Sequence, residues 1–143
     1  MDIKVKEDMM SHTNISVSFA IIGDINPEEV TSVLKIQPSK VLKKGETRRS
    51  GLISKTSIWE LKTDYVKTTE LSEQFKILIV DSGLLNGIDE LIFIKKSNNV
   101  FMRLDVAINV NRNEKPIIWI EPTISKFASE LDINIDISTY FED

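Results

Sequence analysis

Apolar and polar residues alternate along several short stretches of this chain, with the spacing that is typical of β-strands with one buried face. The alternating stretches cover residues 14–22, 57–62, 100–110 and 133–137. In the second of them, Trp59 and Leu61 share one face, whereas Ile58 and Glu60 share the other. Strands that alternate in this way favour a sheet with one wet face over a sheet buried on both sides.

Other segments repeat their apolar residues at helical spacing and carry helix start or stop signals. One helix is predicted from Pro27, where Asn26 can cap it and Glu29 completes an Asn-x-x-Glu capping box. A second is predicted from Leu71 to a stop at Gly83. Two more are predicted to begin at residues 86 and 122.

The turn after the strand at 100–110 predicts a hairpin. Residues 111–113 form a polar link into residues 116–120, an apolar stretch that includes Trp119. Two strands joined by a short polar turn normally pair with each other in antiparallel fashion. The hairpin adds a fifth strand to the sheet and makes Trp119 a strand residue.

The predicted order of elements is β-α-β-α-α-β-β-α-β. This mixture of a hairpin with helical crossovers predicts an α+β fold, a single-domain sandwich in which helices pack on a mainly antiparallel or mixed five-stranded sheet. With 143 residues the chain has the usual size of one domain. We expect a flexible amino-terminal tail over residues 1–12 and a single domain over residues 13–143.

The amino-acid composition limits both the cellular compartment that we expect for the protein and the kinds of chemistry that its side chains can support. The chain has no cysteine, which excludes disulfides and thiolate chemistry and favours a reducing, cytoplasmic setting. Residues 1–12 are too charged for a signal peptide or a membrane anchor, and no apolar run approaches the roughly 20 residues that span a bilayer. The single histidine, His12, lies in the expected tail. We therefore expect no membrane association, no metal, no cofactor and no enzymatic activity.

Charge is distributed unevenly along the chain. The total is −4, which argues against nucleic-acid binding by the whole protein. Residues 35–56, called the basic loop below, hold seven basic residues and one acid, hence +6 against −10 for the rest of the chain. The apolar residues in this stretch follow neither the spacing of a helix nor that of a strand, so we expect a loop. A long loop in a compact domain is usually functional or mobile.

The basic loop and the tryptophan that follows it are the candidate binding site. Clustered ammonium and guanidinium groups can bind a phosphate or a carboxylate, and a nearby indole ring can form the floor of a ligand site. Three interpretations of the loop stay open: a solvated loop, a docking site for an acidic protein surface, and a site for a phosphate-bearing ligand. For Trp59 two interpretations stay open, a structural role in the core and a role as the floor of a ligand site. The candidate residues are Lys40, Lys43, Lys44, Arg48, Arg49, Lys55 and Trp59.

Several scattered features together resemble one bacterial family. They are the opening strand, the helix start at residues 26–29, the segment 34–38, the basic loop with Gly45, Trp59, and the alternating end at residues 131–137. Over about residues 15–140 the chain is similar to the bacterial domain of unknown function 4279. The resemblance implies a small bacterial α+β domain, and it supplies no catalytic residues.

These observations lead to two functional hypotheses. The first is a non-enzymatic protein-binding module, of which a bacterial immunity-type protein that neutralises a toxin is one concrete version. The second is a binder of a small or phosphate-bearing ligand that uses the basic loop and Trp59. The expected partner is the acidic surface of another protein, and the sequence carries no signal for an oligomeric state.

Overall fold

The computed structural model describes residues 12–142 of the chain. Its strands are β1 (Asn14–Gly23), β2 (Lys40–Leu42), β3 (Ser57–Lys62), β4 (Val66–Lys67), β5 (Val100–Asn111) and β6 (Ile135–Glu142). Its α-helices are α1 (Pro27–Leu34), α2 (Leu71–Phe75), α3 (Ile88–Ser97) and α4 (Pro122–Glu130). A π-helical turn, Lys76–Asp81, continues α2, and a 3-10 turn, Leu85–Gly87, leads into α3. The predicted flexible tail lies outside the described residues except for His12, whose amide donates to Glu114 Oε1 at 2.9 Å.

The strands form one mixed sheet in the order β2-β3-β1-β5-β6, and the short β4 also pairs with β1. All pairs are antiparallel except β5 with β6, which are parallel. Parallel neighbours need a crossover connection, and α4 lies in the connection between these two strands. The predicted α+β class, with helices packed on a sheet, is confirmed, although the sheet has six strands rather than five.

The two faces of the sheet differ in what covers them. On one face, Phe19, Ile21 and their cross-strand neighbours pack under the helices and form a single core. The ring of Phe127, from α4, meets Phe19 edge-on with 5.8 Å between the ring centroids. The opposite face carries the alternate residues of the same strands, including Glu60 and Asp105. We call these the helix-covered face and the open face.

The predicted hairpin after β5 is wrong. Residues 116–120 do not join the sheet as a strand, and Trp119 lies half-exposed in an irregular segment. Both edges of β5 are occupied, one by β1 and the other by β6, so no position is left beside it for a hairpin partner. Ile117 instead forms one parallel bridge with Glu70, just ahead of α2.

The helix α1 begins at Pro27 with Asn26 as its cap, as predicted, but the predicted capping box with Glu29 does not form, because the Asn26 side chain accepts from the amide of Glu28. Asn26 Oδ1 accepts a hydrogen bond from the amide of Glu28 at 3.0 Å, and Pro27 occupies the first helical turn. Further along the helix, Thr31 Oγ1 accepts a hydrogen bond from Trp59 Nε1 at 3.0 Å. This bond ties α1 to β3 on the helix-covered face.

Candidate functional site

The basic loop is only partly irregular. Residues 40–42 form β2, an edge strand paired with β3, and residues 43–56 form a hairpin-like extension that we call the basic arm. Within the arm, the amide of Arg48 donates to the carbonyl of Leu52 at 2.7 Å. Thr47 and Ile53 form an antiparallel bridge beside it. The arm therefore carries a short hydrogen-bond ladder of its own.

Two buried serines hold the base of the arm. Ser57 Oγ accepts a hydrogen bond from the amide of Lys44 at 3.0 Å, and Ser54 Oγ donates to the carbonyl of Thr56 at 2.6 Å. Arg48 Nη2 lies 3.4 Å from Ser54 Oγ. These contacts fix where the arm leaves the sheet and hold the Arg48 guanidinium close to Ser54.

A groove of about 370 Å³, called the basic groove below, lies between the arm and the open face. Its walls are Lys40 of β2 and residues 47–50 of the arm, and its floor is Leu42 and Ile58. The two floor residues are cross-strand neighbours. Because side chains alternate along a strand, Ile58 lies on the face opposite Trp59. The groove thus combines an aliphatic floor with cationic and hydroxyl-bearing walls.

Lys43 is separated from the other cations by an ion pair. Its ammonium group contacts the carboxylate of Glu28 on α1. The hydrogen bond between the two groups is the main reason that the pKa of Lys43 is raised and the pKa of Glu28 is lowered. The structure therefore brings Lys40, Arg48 and Arg49 together at the basic groove and assigns Lys43 to the packing of the loop against α1.

The outer surface of the arm mixes cations with aliphatic side chains. Leu52 and Ile53 are 69% and 66% exposed, and Lys44 and Lys55 are exposed near the base of the arm. Over residues 12–142, Lys43 is the one candidate cation that forms an ion pair. Unpaired cations beside exposed apolar groups suit contact with a surface that carries carboxylates.

Trp59 does not form the floor of this groove. Its side chain is fully buried on the helix-covered face, where it bonds to Thr31 as described above. The ligand-site role expected for the indole ring is corrected, because the ring faces the core and its neighbour Ile58 faces the groove. The structure agrees with the other interpretation, in which Trp59 has a structural role in the core.

Sequence reasoning missed the groove floor and its hydroxyl groups. The alternation of residues 57–62 already separates Ile58 from Trp59, and that was the signal available for this residue. Leu42 has no comparable local signal, because β2 contains three residues and its pairing with β3 is what turns Leu42 toward the groove. Thr47 and Ser50 join the site only through the fold of the arm.

Two other features, a membrane-spanning helix and a metal-binding cluster, are absent from the described residues. In the described part of the chain, no helix has the length and apolar character needed to cross a membrane. Within residues 12–142, no three His, Asp or Glu side chains are grouped so that they could hold a metal ion. Asp105 and Asp136 are register neighbours on the open face of β5 and β6, on the far side of β1 from the basic groove.

Comparison with known proteins identifies the domain. No curated protein and no solved structure matches the chain. A family model described as a domain of unknown function, DUF4279, matches residues 12–142, a span that includes every strand and helix and the whole basic arm. The match agrees with the resemblance carried by the sequence features above. The chain therefore belongs to the DUF4279 family.

Proposed function

We propose that this protein is a non-enzymatic interaction module that binds an acidic protein surface through its basic arm. The observation that carries the proposal is the composition of the arm surface. Arg48, Arg49 and Lys55 form no ion pair within residues 12–142, and Leu52 and Ile53 are exposed beside them. Guanidinium groups bind carboxylates in bidentate fashion, and the aliphatic groups add contact area.

The hydrogen bonds within the arm lower the cost of binding. A partner that orders a flexible surface immobilises its side chains, at about 0.5–1.5 kcal/mol for each long one, and orders its backbone as well. The arm backbone is already held at the Thr47–Ile53 bridge and at the bond from Arg48 to Leu52. Binding therefore mainly orders side chains.

The distribution of charge favours approach through the arm. The basic loop carries +6 and the rest of the chain −10. An acidic surface is attracted to the arm and repelled by the remainder of the molecule, so productive encounters begin there. We expect the association rate to fall as salt rises, because salt screens exposed charges beyond about 10 Å.

A bacterial immunity-type protein that neutralises a toxin in the cytoplasm is the concrete form of this proposal. Such a protein needs an exposed recognition surface and no chemistry of its own. The basic arm supplies a surface of this kind. The matching partner surface presents clustered Asp and Glu side chains around an apolar site that accepts Leu52 and Ile53.

Charge reversal tests the proposal. The arm variant R48E/R49E/K55E should lose capture of its partner from a lysate of the native host, and the association rate with the captured partner should fall most at low salt. Its melting temperature should stay near that of wild type, since exposed substitutions usually change stability by within about 0.5 kcal/mol. Lys43 is left unchanged because its ammonium group is already paired with Glu28.

The matched control is R112E/K76E/K115E, which changes the net charge equally at exposed positions outside the basic loop. The control should capture the partner as wild type does. Equal loss in both variants would show that total charge matters and the arm does not. Unchanged capture by the arm variant would refute the proposal directly.

The basic groove itself supports a second candidate function, the binding of a small ligand with an anionic group. Lys40, Arg48 and Arg49 can contact a phosphate or a carboxylate, while Leu42 and Ile58 contact an apolar portion. The two functions share Arg48 and Arg49 and differ in their apolar contacts, which are Leu52 and Ile53 for a protein surface and Leu42 and Ile58 for a ligand in the groove. The tip variant L52S/I53S should weaken protein capture and spare ligand binding, whereas K40A/R49A should weaken the binding of a phosphate-bearing ligand measured by thermal shift.

A further inference from the structure

We infer that the edge strand β6 is a self-association surface, on which a second copy of this chain pairs β6 with β6 in antiparallel fashion. The inference is independent of the proposed function, because β6 and the basic arm lie at opposite edges of the sheet. It rests on the free backbone edge of β6, on its uncovered apolar face and on the register that its sequence allows.

The outer edge of β6 is available for pairing. The strand has eight residues and ends the sheet, with β5 as its one strand neighbour in the described part of the chain. Its sequence, IDISTYFE, contains no proline and no basic residue. Sheet edges are usually protected by such residues, by shortness or by a covering element. The opposite edge shows this protection, since β2 has three residues and begins with Lys40.

The apolar side of β6 lies on the helix-covered face, yet the helices leave it exposed. The register with β5 places Ile137 beside Val106 and Phe141 beside Val110. The two β5 residues are buried, whereas Ile137 is 38% and Phe141 75% exposed. On the open face, β6 carries Asp136, Ser138 and Tyr140. The strand therefore has the alternation of a half-buried strand without the partner that would bury it.

A second copy fits this edge without a charge conflict. A two-fold axis through Ser138 pairs residues 135–141 with their copies, so that Ile135 lies opposite Phe141 and Asp136 opposite Tyr140. Each pair then shares a face, as antiparallel neighbours must. The next in-phase register, centred on Thr139, would place the two acids Asp136 and Glu142 opposite each other. The register centred on Ile137 pairs only residues 135–139, so the axis through Ser138 is preferred because it aligns residues 135–141 without opposing two acids.

The same axis brings apolar groups of both copies together on the helix-covered face. Ile135 of each copy lies opposite Phe141 of the other, Ile137 lies opposite Thr139, and the sheet continues through the seam. Two-fold symmetric dimers of this kind are the commonest oligomers of soluble proteins. Because the seam is at β6, the two basic arms remain free at the outer ends of the joined sheet.

The chain has no cysteine, so one introduced thiol reports the register. In the S138C variant the two thiols face each other across the axis, and directly paired strand residues have Cα atoms about 4.5–5.5 Å apart, within the range that a disulfide bridges. We expect mild oxidation to convert S138C to a covalent dimer. S125C, at an exposed position on α4, is the control and should stay largely monomeric.

Sedimentation velocity across a concentration series gives the second measurement. Wild type should reach twice the mass of the chain, and F141K and I137K should sediment as monomers with an unchanged circular dichroism spectrum. F93K should remain dimeric, since Phe93 is a 70% exposed phenylalanine on α3. A wild type that stays monomeric overturns the inference. So does a dimer in which S138C links no faster than S125C, because the copies would then meet elsewhere.

Discussion

Asp105 is a carboxylate held partly out of water in the middle of the open face. Arg103 Nε lies 2.5 Å from its Oδ2, and Asp136 is its register neighbour on β6. Partial burial raises the pKa of the Asp105 carboxyl, the Arg103 guanidinium opposes the rise, and the charge of Asp136 adds to it. The folded protein therefore binds a proton at Asp105 more tightly than the unfolded chain does.

This raised pKa predicts a pH-dependent effect of D105N. With a folded pKa above the unfolded value of about 3.9, Asp105 adds stability below that value and loses it as pH rises through the folded pKa. Asparagine cannot ionise and avoids the loss. The melting temperature of D105N relative to wild type should therefore be higher at pH 7 than at pH 3.5. D64N, at an exposed position, is the control, and an equal pH dependence of both variants would contradict the assignment.

Of the four glycines with positive φ in residues 12–142, Gly23 and Gly51 differ sharply in what surrounds them. Gly23 ends β1 with φ +143, and a Cβ there would lie 2.3 Å from the carbonyl oxygen of Asn99. Gly51 turns the basic arm with φ +87, and nothing lies within 4 Å of a Cβ added to it. The first glycine is required by packing and by conformation, the second by conformation alone.

The same change, glycine to alanine, should therefore lower the free energy of unfolding by different amounts at these two positions. G23A must separate β1 from the start of β5, and we expect a loss of about 2–4 kcal/mol in the free energy of unfolding. G51A adds only backbone strain, about 1 kcal/mol. Urea unfolding of both variants measures the difference. Equal losses would show that the close approach of Gly23 to Asn99 is relieved without cost.

At the scale of the whole molecule, one core joins every helix to the sheet. Trp59 of β3, Phe75 of α2, Leu91 of α3 and Phe127 of α4 belong to the same buried cluster. A domain of this size with one core normally unfolds in a single cooperative step. No helix can leave the sheet without exposing part of this cluster, so partial unfolding is costly.

Two probes of unfolding should therefore agree. Tryptophan fluorescence follows mainly the core, because Trp59 is buried whereas Trp119 is half-exposed. Circular dichroism follows the secondary structure of the whole chain. We expect the same urea midpoint from both, and distinct midpoints would show that the sheet and the helices form separate cooperative units.

What the sequence determined by itself is the local part of the fold. The two-residue alternation predicted β1, β3 and β5, and the Asn26-Pro27 start predicted α1, because strand faces and helix caps depend on residues a few positions apart. The α+β class and the DUF4279 family follow from these signals taken together. The basic loop was also found by local composition.

The tertiary structure alone decided which elements meet. β5 is flanked by β1 and β6, and this pairing across the chain removed the position predicted for a hairpin at 116–120. The placement of α1 on the sheet buried Trp59 and gave Lys43 its partner Glu28. Such contacts join residues far apart in sequence, and their choice depends on burying the apolar faces of all elements at once, which no local pattern encodes.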